Sequence, residues 1–360
     1  MAQQARPQGP TIDAAALRVV VLSNEPVLHQ SHHDAIAERA VSAAAEFAVE
    51  HLTRAGFDVS PLCAGGNLTQ LRAELLRRQP AVVLNLFEGL ADSPGTESLV
   101  AHLLRRSGTA FTGSGGRALA VARNKPRVKA LLARNGLPTP RWQVVNGATI
   151  GRFSLAWPVI VKPAHEDASL GIEQSSVVVN RRQLGARVRE VQARYGRDAL
   201  LEEYVPGREV SVALIRSLRL TTLPPIEFCF DVPDGGWPIL TYDAKWQPGS
   251  ADYERSWAVY GAALPAGLLQ QINCLSLQAF RLLGCRDYAR VDFRIAGNGQ
   301  PYLLEVNPNP DLGPTACFCG ALRSAGISPA DWLVDLVRTA QRRGQKGTAR
   351  GVRHDPVART

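Results

Sequence analysis

The stretch Tyr288-Ala-Arg-Val-Asp-Phe-Arg-Ile295 alternates polar and apolar residues strictly, the period of a strand with one face in a core and the other free. Its polar face shows Arg290 and Asp292. Asn298-Gly299 is a preferred pair for a two-residue hairpin turn, and Pro301 to Asn307 supplies the return strand. With those two residues as the turn, 297 pairs with 300, so Asp292 lies opposite Glu305 and Arg290 opposite Asn307, all four on one face. Like charges directly opposite one another destabilise a sheet by up to roughly 1 kcal/mol. A hard divalent cation offsets that repulsion, because Mg²⁺ takes one or two carboxylates plus phosphate oxygens in octahedral geometry. Asn307 adds a neutral oxygen, and Arg290 can hold an oxyanion beside the metal. The hairpin is therefore expected to carry magnesium and the phosphates of a nucleotide. The competing reading, an exposed hairpin with incidental acids, leaves the pairing, the flanking arginine and the following Pro308-Asn309-Pro310 as coincidences.

A second signal lies in the cations. Of 41 basic residues only five are lysines: Lys125, Lys129, Lys162, Lys245 and Lys346. A solvated surface charge can be either residue at little cost, so a retained lysine stands out. Its compact ammonium on a flexible stem suits a phosphate oxygen where a planar guanidinium does not fit. Lys129 and Lys346 are ascribed to chance.

These groups must be positioned by a scaffold. Arg18 to Leu22 reads as a buried strand, Ala35 to Ala55 as a helix stopped by Gly56, Leu68 to Arg78 as a helix and Ala81 to Phe87 as a second strand. Alternating strands and helices imply a parallel sheet covered on both faces. A helix from Arg123 to Asn135 follows, and then a smaller unit that looks α+β and mostly antiparallel. There, strand 157–163 runs into the loop His165 to Gly171, Arg181 to Tyr195 is helical, and an extended run from Ala199 to Val205 precedes a strand at Glu209 to Ile215. The remainder holds a strand near Ile226, an irregular segment from Trp237 to Tyr260, and a helix from Leu268 to Leu283 ahead of the hairpin.

Composition excludes several classes. At 45% apolar and 20% charged residues the chain is ordinary globular protein. No apolar run reaches the roughly 18 residues of a membrane span, and no signal-peptide core follows Met1, so the expected location is cytoplasmic and no membrane partner is expected. The six cysteines form no CxxC pair and are expected to be reduced thiols. The net charge of +9 is lopsided: +5 of it sits in the last twenty residues. No aromatics interleave with those charges, which favours an unstructured tail over a nucleic-acid arm.

The ordered set of Thr112-Gly113-Ser114, Val161-Lys162-Pro163 with its Ser-Leu-Gly loop, Glu202-Glu203-Tyr204-Val205, Arg-Val-Asp292 and Leu-Glu305-Val-Asn307 resembles the ATP-grasp ligases, and within them the D-alanine–D-alanine ligases. The likeness spans roughly residues 18 to 338. It implies an ATP-grasp fold, α/β and α+β, behind a Rossmann-like pre-ATP-grasp domain. The expected divisions are a disordered lead at 1–16, the α/β domain at 17–121, a small subdomain at 122–201, a large one at 202–338 and a basic disordered tail at 339–360. It further implies that Lys125 and Lys162 contact nucleotide phosphates with the Ser169 loop folding over them, that Glu202, Glu203, Tyr204 and Val205 hold adenine, and that Glu209 meets the ribose. Lys245 would reach the terminal phosphate and Arg290 would stabilise a tetrahedral intermediate. Metal ligands would be Asp292, Glu305 and Asn307. The implied chemistry uses ATP and Mg²⁺ (or Mn²⁺) to convert a carboxylate to an acyl phosphate, which an amine attacks to give an amide, ADP and phosphate. Partners would be small-molecule carboxylate and amine substrates, and the family's habit is a homodimer.

The substrate positions depart from the family's pattern. Its Gly-rich first strand end carries a glutamate; here it reads Ser23-Asn24-Glu25-Pro26, with Glu25 the available substitute. Ala168 and Trp246 replace a serine and a tyrosine, Glu88-Gly89 replaces His-Gly, Asp311 falls in the oxyanion-supporting run, and Ala316 replaces a product-binding serine. The expectation is a ligase for a small amino acid or amine other than D-alanine, with Glu88, Asp92 and Glu97 favouring a cationic acceptor or else forming a solvated polar loop. The alternatives are a true D-alanine–D-alanine ligase and a nucleotide-binding protein without catalysis.

Overall fold

The computed structural model describes residues 16–351 apart from 30, 31, 33, 34, 92, 167, 168 and 197. Most of the lead expected to be disordered, the end of the expected tail, Asp92, Asp167 and Ala168 therefore lie outside the described residues.

The N-terminal unit runs β1 (Arg18–Asn24), α1 (Ala35–Arg54), β2 (Asp58–Ala64), α2 (Leu68–Arg78), β3 (Val82–Asn85), α3 (Thr96–Arg106), β4 (Ala110–Phe111) and α4 (Gly116–Ala122). Its sheet has the order β2-β1-β3-β4, all parallel. Strand β2 was not legible in the sequence, because Asp58, Ser60 and Pro61 are poor strand formers. At the sheet edge Pro61 is tolerated, since its missing N–H removes no bond on the outer side.

The small unit holds α5 (Lys125–Arg134), β5 (Trp142–Val145), β6 (Val159–Pro163), β7 (Val177–Val178), α6 (Arg181–Tyr195) and β8 (Ala199–Glu203), with an antiparallel sheet β5-β8-β6-β7. Helix α5 starts where Asn124 caps it by accepting from Arg127 N at 3.0 Å, with Pro126 in the first turn.

The third unit runs β9 (Gly207–Arg216), β10 (Leu220–Thr222), β11 (Ile226–Phe230), α7 (Tyr242–Trp246), α8 (Ala251–Glu254), β12 (Ser256–Tyr260), α9 (Ala266–Leu283), β13 (Tyr288–Ala296), β14 (Pro301–Asn307), α10 (Cys317–Ser324) and α11 (Pro329–Gly351). Its antiparallel sheet has the order β12-β11-β9-β13-β14, with β10 on β9. The segment read as irregular thus contains two short helices and an edge strand. On β13, Val291, Phe293 and Ile295 pack into the core under α9, which leaves Arg290 and Asp292 on the opposite face.

Two expectations are corrected. Residues 339–351 belong to α11 and are not an unstructured tail, and the helix does not close the large unit at 338. Trp332, Leu333, Leu336, Val337 and Ala340 pack against Val19, Val21, Val82 and Leu84, so the last helix covers one face of the N-terminal sheet. Its basic end has a buried anchor: Arg343 donates to Asp287 Oδ1 at 2.6 Å and Oδ2 at 3.0 Å, and to Phe111 O at 2.6 Å. Among the described residues no helix is long and apolar enough to cross a membrane.

Candidate active site

The hairpin places Asp292 opposite Glu305 and Arg290 opposite Asn307, as its sequence predicts, but by a different route. The loop has three residues, Gly297-Asn298-Gly299, closed by Gly299 N to Ala296 O at 2.8 Å, with Gly299 in the left-handed region. Ile295 therefore pairs with Pro301, and a bulge at Leu304 restores the register before the site. Two departures from a plain two-residue hairpin cancel.

Asp292 is the centre of a dense set of donors. Arg290 meets it through two parallel bonds, Nε to Oδ1 at 2.8 Å and Nη2 to Oδ2 at 2.9 Å. Asn307 Nδ2 donates to Oδ2 at 2.9 Å, and Ser211 Oγ, from the neighbouring β9, to Oδ1 at 2.6 Å. Burial disfavours the Asp292 carboxylate, yet the Arg290 guanidinium and these bonds hold its carboxyl below the usual range. Two carboxylates and an amide on adjacent strands are groups of the kind from which a hard divalent cation takes oxygen donors.

This face opens into a cavity of about 1080 Å³ between the three units. Lys125, Lys162, Ser169, Glu202, Glu203, Tyr204, Val205, Glu209, Lys245 and Trp246 line it together with Arg290, Asp292, Glu305 and Asn307. The cations enter from three directions. Lys125, at the start of α5, has Nζ 4.0 Å from Glu305 Oε1 and donates to Glu166 O in the loop above β6. Lys162, at the end of β6, donates to Glu202 Oε2 at 2.6 Å. Lys245, on α7, sits 4.6 Å from the centre of the Trp246 ring. Burial, and then the Arg290 charge, push the Lys245 ammonium below the ordinary lysine range. The loop that carries Ser169 ends at Gly171, whose φ is +69°. A Cβ there would come within 2.8 Å of the Tyr195 ring, so the position requires glycine.

Lys129 is corrected from chance to structure. It is 1% exposed, 2.5 Å from Glu202 Oε1, and donates to Thr139 Oγ1 at 2.9 Å and Leu303 O at 3.2 Å. Glu202 is equally buried. Burial opposes its ionisation, but Lys129 and Lys162 together hold its carboxyl down at about 2. Arginine cannot replace Lys129, because a planar fork does not fit between two side chains and a carbonyl in a closed space.

The substrate positions divide. Glu88, Trp246 and Asp311 line the cavity, whereas Glu25 is exposed and outside it. Strand β1 extends to Asn24, and successive side chains point to opposite faces, so the buried Asn24 faces the cavity and Glu25 turns away. Asn24 Oδ1 accepts from Glu88 N at 3.3 Å. Glu97 is 8% exposed and engaged by Asn309 Nδ2 at 3.0 Å and Arg123 Nη2 at 3.8 Å, so it braces the wall and is not a solvated acid.

The sequence reading missed Asn24, Ser211, Arg294 and Asn309. For Arg294 a signal existed: it follows Asp292 by two on a strictly alternating strand, hence on the same face. Thr112-Gly113-Ser114 joins the units from behind the site. Gly113 N donates to the buried Asp287 Oδ2 at 2.9 Å and Ser114 Oγ accepts from Arg286 N at 3.1 Å. Gly113 has φ +79°, and a Cβ there would stand 3.0 Å from Tyr288 Oη.

The chain is similar to known proteins along most of its length. Residues 131–338 match the family model described as "D-ala D-ala ligase C-terminus". The D-alanine–D-alanine ligase of Gluconobacter oxydans is 32% identical over 305 residues, covering 82% of this chain and 94% of that protein. An uncharacterised protein of Sinorhizobium fredii, y4sG, is 33% identical over 288 residues, 78% of this chain and 83% of that one. In fold, the D-alanine–D-alanine ligase of Bacillus anthracis complexed with ATP superposes with a TM-score of 0.69 at 20% identity, over 92% of this chain and 99% of that one. The enzyme from Coxiella burnetii gives 0.70 at 17% identity, over 94% and 98%.

Proposed function

The chain belongs to the D-alanine–D-alanine ligase family of ATP-grasp enzymes, and we propose that it joins a small carboxylate and an amine other than two molecules of D-alanine. It is an ATP-dependent ligase that forms a C–N bond, with ATP and Mg²⁺ as its cofactors. The observation that carries the reading of the site is the convergence of Lys125, Lys162 and Lys245 on one cavity with the Asp292–Glu305 pair at its floor.

Asp292, Glu305 and Asn307 would hold the metal, which when bound offsets charge on the phosphate chain. Lys125 and Lys162 hold the phosphates, and Glu202, Glu203, Tyr204, Val205 and Glu209 form the bed for adenine and ribose. The substrate carboxylate attacks the terminal phosphoryl group to give an acyl phosphate and ADP, with Lys245 placed against the transferring group. The amine then attacks the acyl carbon, Arg290 steadies the oxyanion of the tetrahedral intermediate, and phosphate leaves. No enzyme nucleophile takes part.

The difference in substrate is supported by the residues that line the substrate end. Asn24, Glu88, Trp246 and Asp311 line that end of the cavity, while Glu25, the substitute for the family's glutamate, lies outside it; by the resemblance Glu88 and Trp246 stand in place of a histidine and a tyrosine. Glu88 and Asp311 on the cavity wall are the acids that support a cationic acceptor amine. The test is phosphate release by the purified protein with MgATP across a panel of amino acids and amines. Release with a basic or otherwise polar amine is expected. D-alanine as sole substrate would sink the proposed difference, and no release with any pair would sink catalysis.

A further inference from the structure

Arg294 is buried at 3% exposure, yet lies on the cavity face of β13 beside the metal pair. A guanidinium has five N–H donors in a rigid plane and is costly to bury unless they are satisfied. Here four of its contacts reach three separate segments. Nε donates to Val205 O at 3.0 Å and Nη2 to Tyr204 Oη at 2.9 Å, both in the run after β8. Nη1 donates to Glu209 Oε2 at 3.2 Å, on β9, and to Pro238 O at 2.7 Å, in the segment that leads into the Lys245 helix. The plane also lies over the Tyr204 ring, 5.1 Å from its centre. Tyr204 in turn packs edge-on against Trp237, 5.1 Å between centres.

We infer that Arg294 is the positioning residue of the nucleotide bed: one guanidinium fixes the Tyr204–Val205 run, aims the Glu209 carboxylate at the sugar hydroxyls of the nucleotide, and ties the Lys245 segment to both. The inference rests on the reading of Glu209 as the sugar contact. Three of the four acceptors belong to residues already placed in the nucleotide bed, and the fourth precedes the lysine that faces the terminal phosphate. A core arginine that served packing alone would have no need to spread its donors over these segments. A methionine of similar volume would fill the space and supply none of the bonds.

The consequence is specific to the sugar. Isothermal titration with MgADP and with Mg-2′-deoxy-ADP reads it without turnover. Wild type is expected to prefer ADP by about tenfold, the worth of a charge-assisted hydrogen bond. In Arg294→Met the preference should fall to about twofold or less, because Glu209 loses its aim. Arg294→Lys, which keeps the charge without the fork, should lie between them and decides the matter where the methionine variant does not fold. In the Glu209→Gln background, Arg294→Met should change the preference no further. The KM for ATP should rise more than kcat falls, a split that general destabilisation does not give. A folded Arg294→Met or Arg294→Lys protein that keeps the wild-type preference overturns the inference. A wild type without preference for ADP overturns the Glu209 sugar contact itself, and the inference with it.

Discussion

Replacing Lys129 with methionine removes one of two ammonium groups from a carboxylate that is 1% exposed. Against burial, attraction to Lys129 and Lys162 holds Glu202 down at about 2, from an ordinary 4.5, while burial pushes the Lys129 ammonium below its ordinary range, so the cost of the change is that of breaking a buried pair. Lys129 contributes the larger part of that attraction, since its charge ranks ahead of Lys162 among the causes. Methionine keeps the volume, so the cost is the unpaired buried charge, and breaking such a pair costs about 3–5 kcal/mol. Lys129→Met should therefore lose about 3 kcal/mol in urea denaturation at pH 7. The double variant Lys129→Met with Glu202→Gln should recover part of this loss, because no charge is left stranded. The sign in pH follows from the depressed carboxyl. Wild-type stabilisation from Glu202 is fully present above about pH 4.5, the unfolded value, and is lost as the pH falls through about 2. The deficit of Lys129→Met should accordingly narrow over that window. A single variant within about 0.5 kcal/mol of wild type, or a double variant less stable than the single, would refute the buried-pair account.

Glu305→Gln should leave the thermal midpoint nearly unchanged while ADP release at fixed MgATP drops on the order of 10²-fold, with a raised magnesium requirement seen by titrating the metal. Lys245→Arg should lower phosphate release by on the order of 10²-fold despite keeping the charge, since the planar fork replaces a point charge in a confined place; full activity would remove Lys245 from the phosphate. Deleting residues 339–360 should destabilise the protein in a thermal melt, because the buried Asp287 loses Arg343, while a neutral deletion would restore the picture of a solvated tail. Gly113→Ala should cost about 1–3 kcal/mol in denaturation, because φ is +79° and Tyr288 stands against the new methyl group.

The sequence by itself determined the elements whose reasons are local. Strict alternation along β13 gave its two faces, the stop at Gly56 bounded α1, and the order of short motifs carried the fold and the nucleotide chemistry. Even the cross-strand placement of Asp292 and Glu305 was legible, although the three-residue loop and the Leu304 bulge that produce it were not, because their shifts cancel. Strand β2 stayed hidden because its residues are poor strand formers, and only its place at the sheet edge makes Pro61 acceptable. Tertiary structure alone decided which charges are buried and with whom. Lys129 reads as a surface lysine until Glu202, far along the chain, closes over it. Arg343 looks like part of a basic tail until Asp287 meets it through the packing of α11 on the N-terminal sheet. Asn24 and Glu25 are neighbours, and only the end of β1 in its sheet settles which of them faces the cavity. Periodicity is a property of neighbouring residues and survives in the sequence, whereas the partner of a buried charge lies tens of residues away and depends on the packing of whole elements.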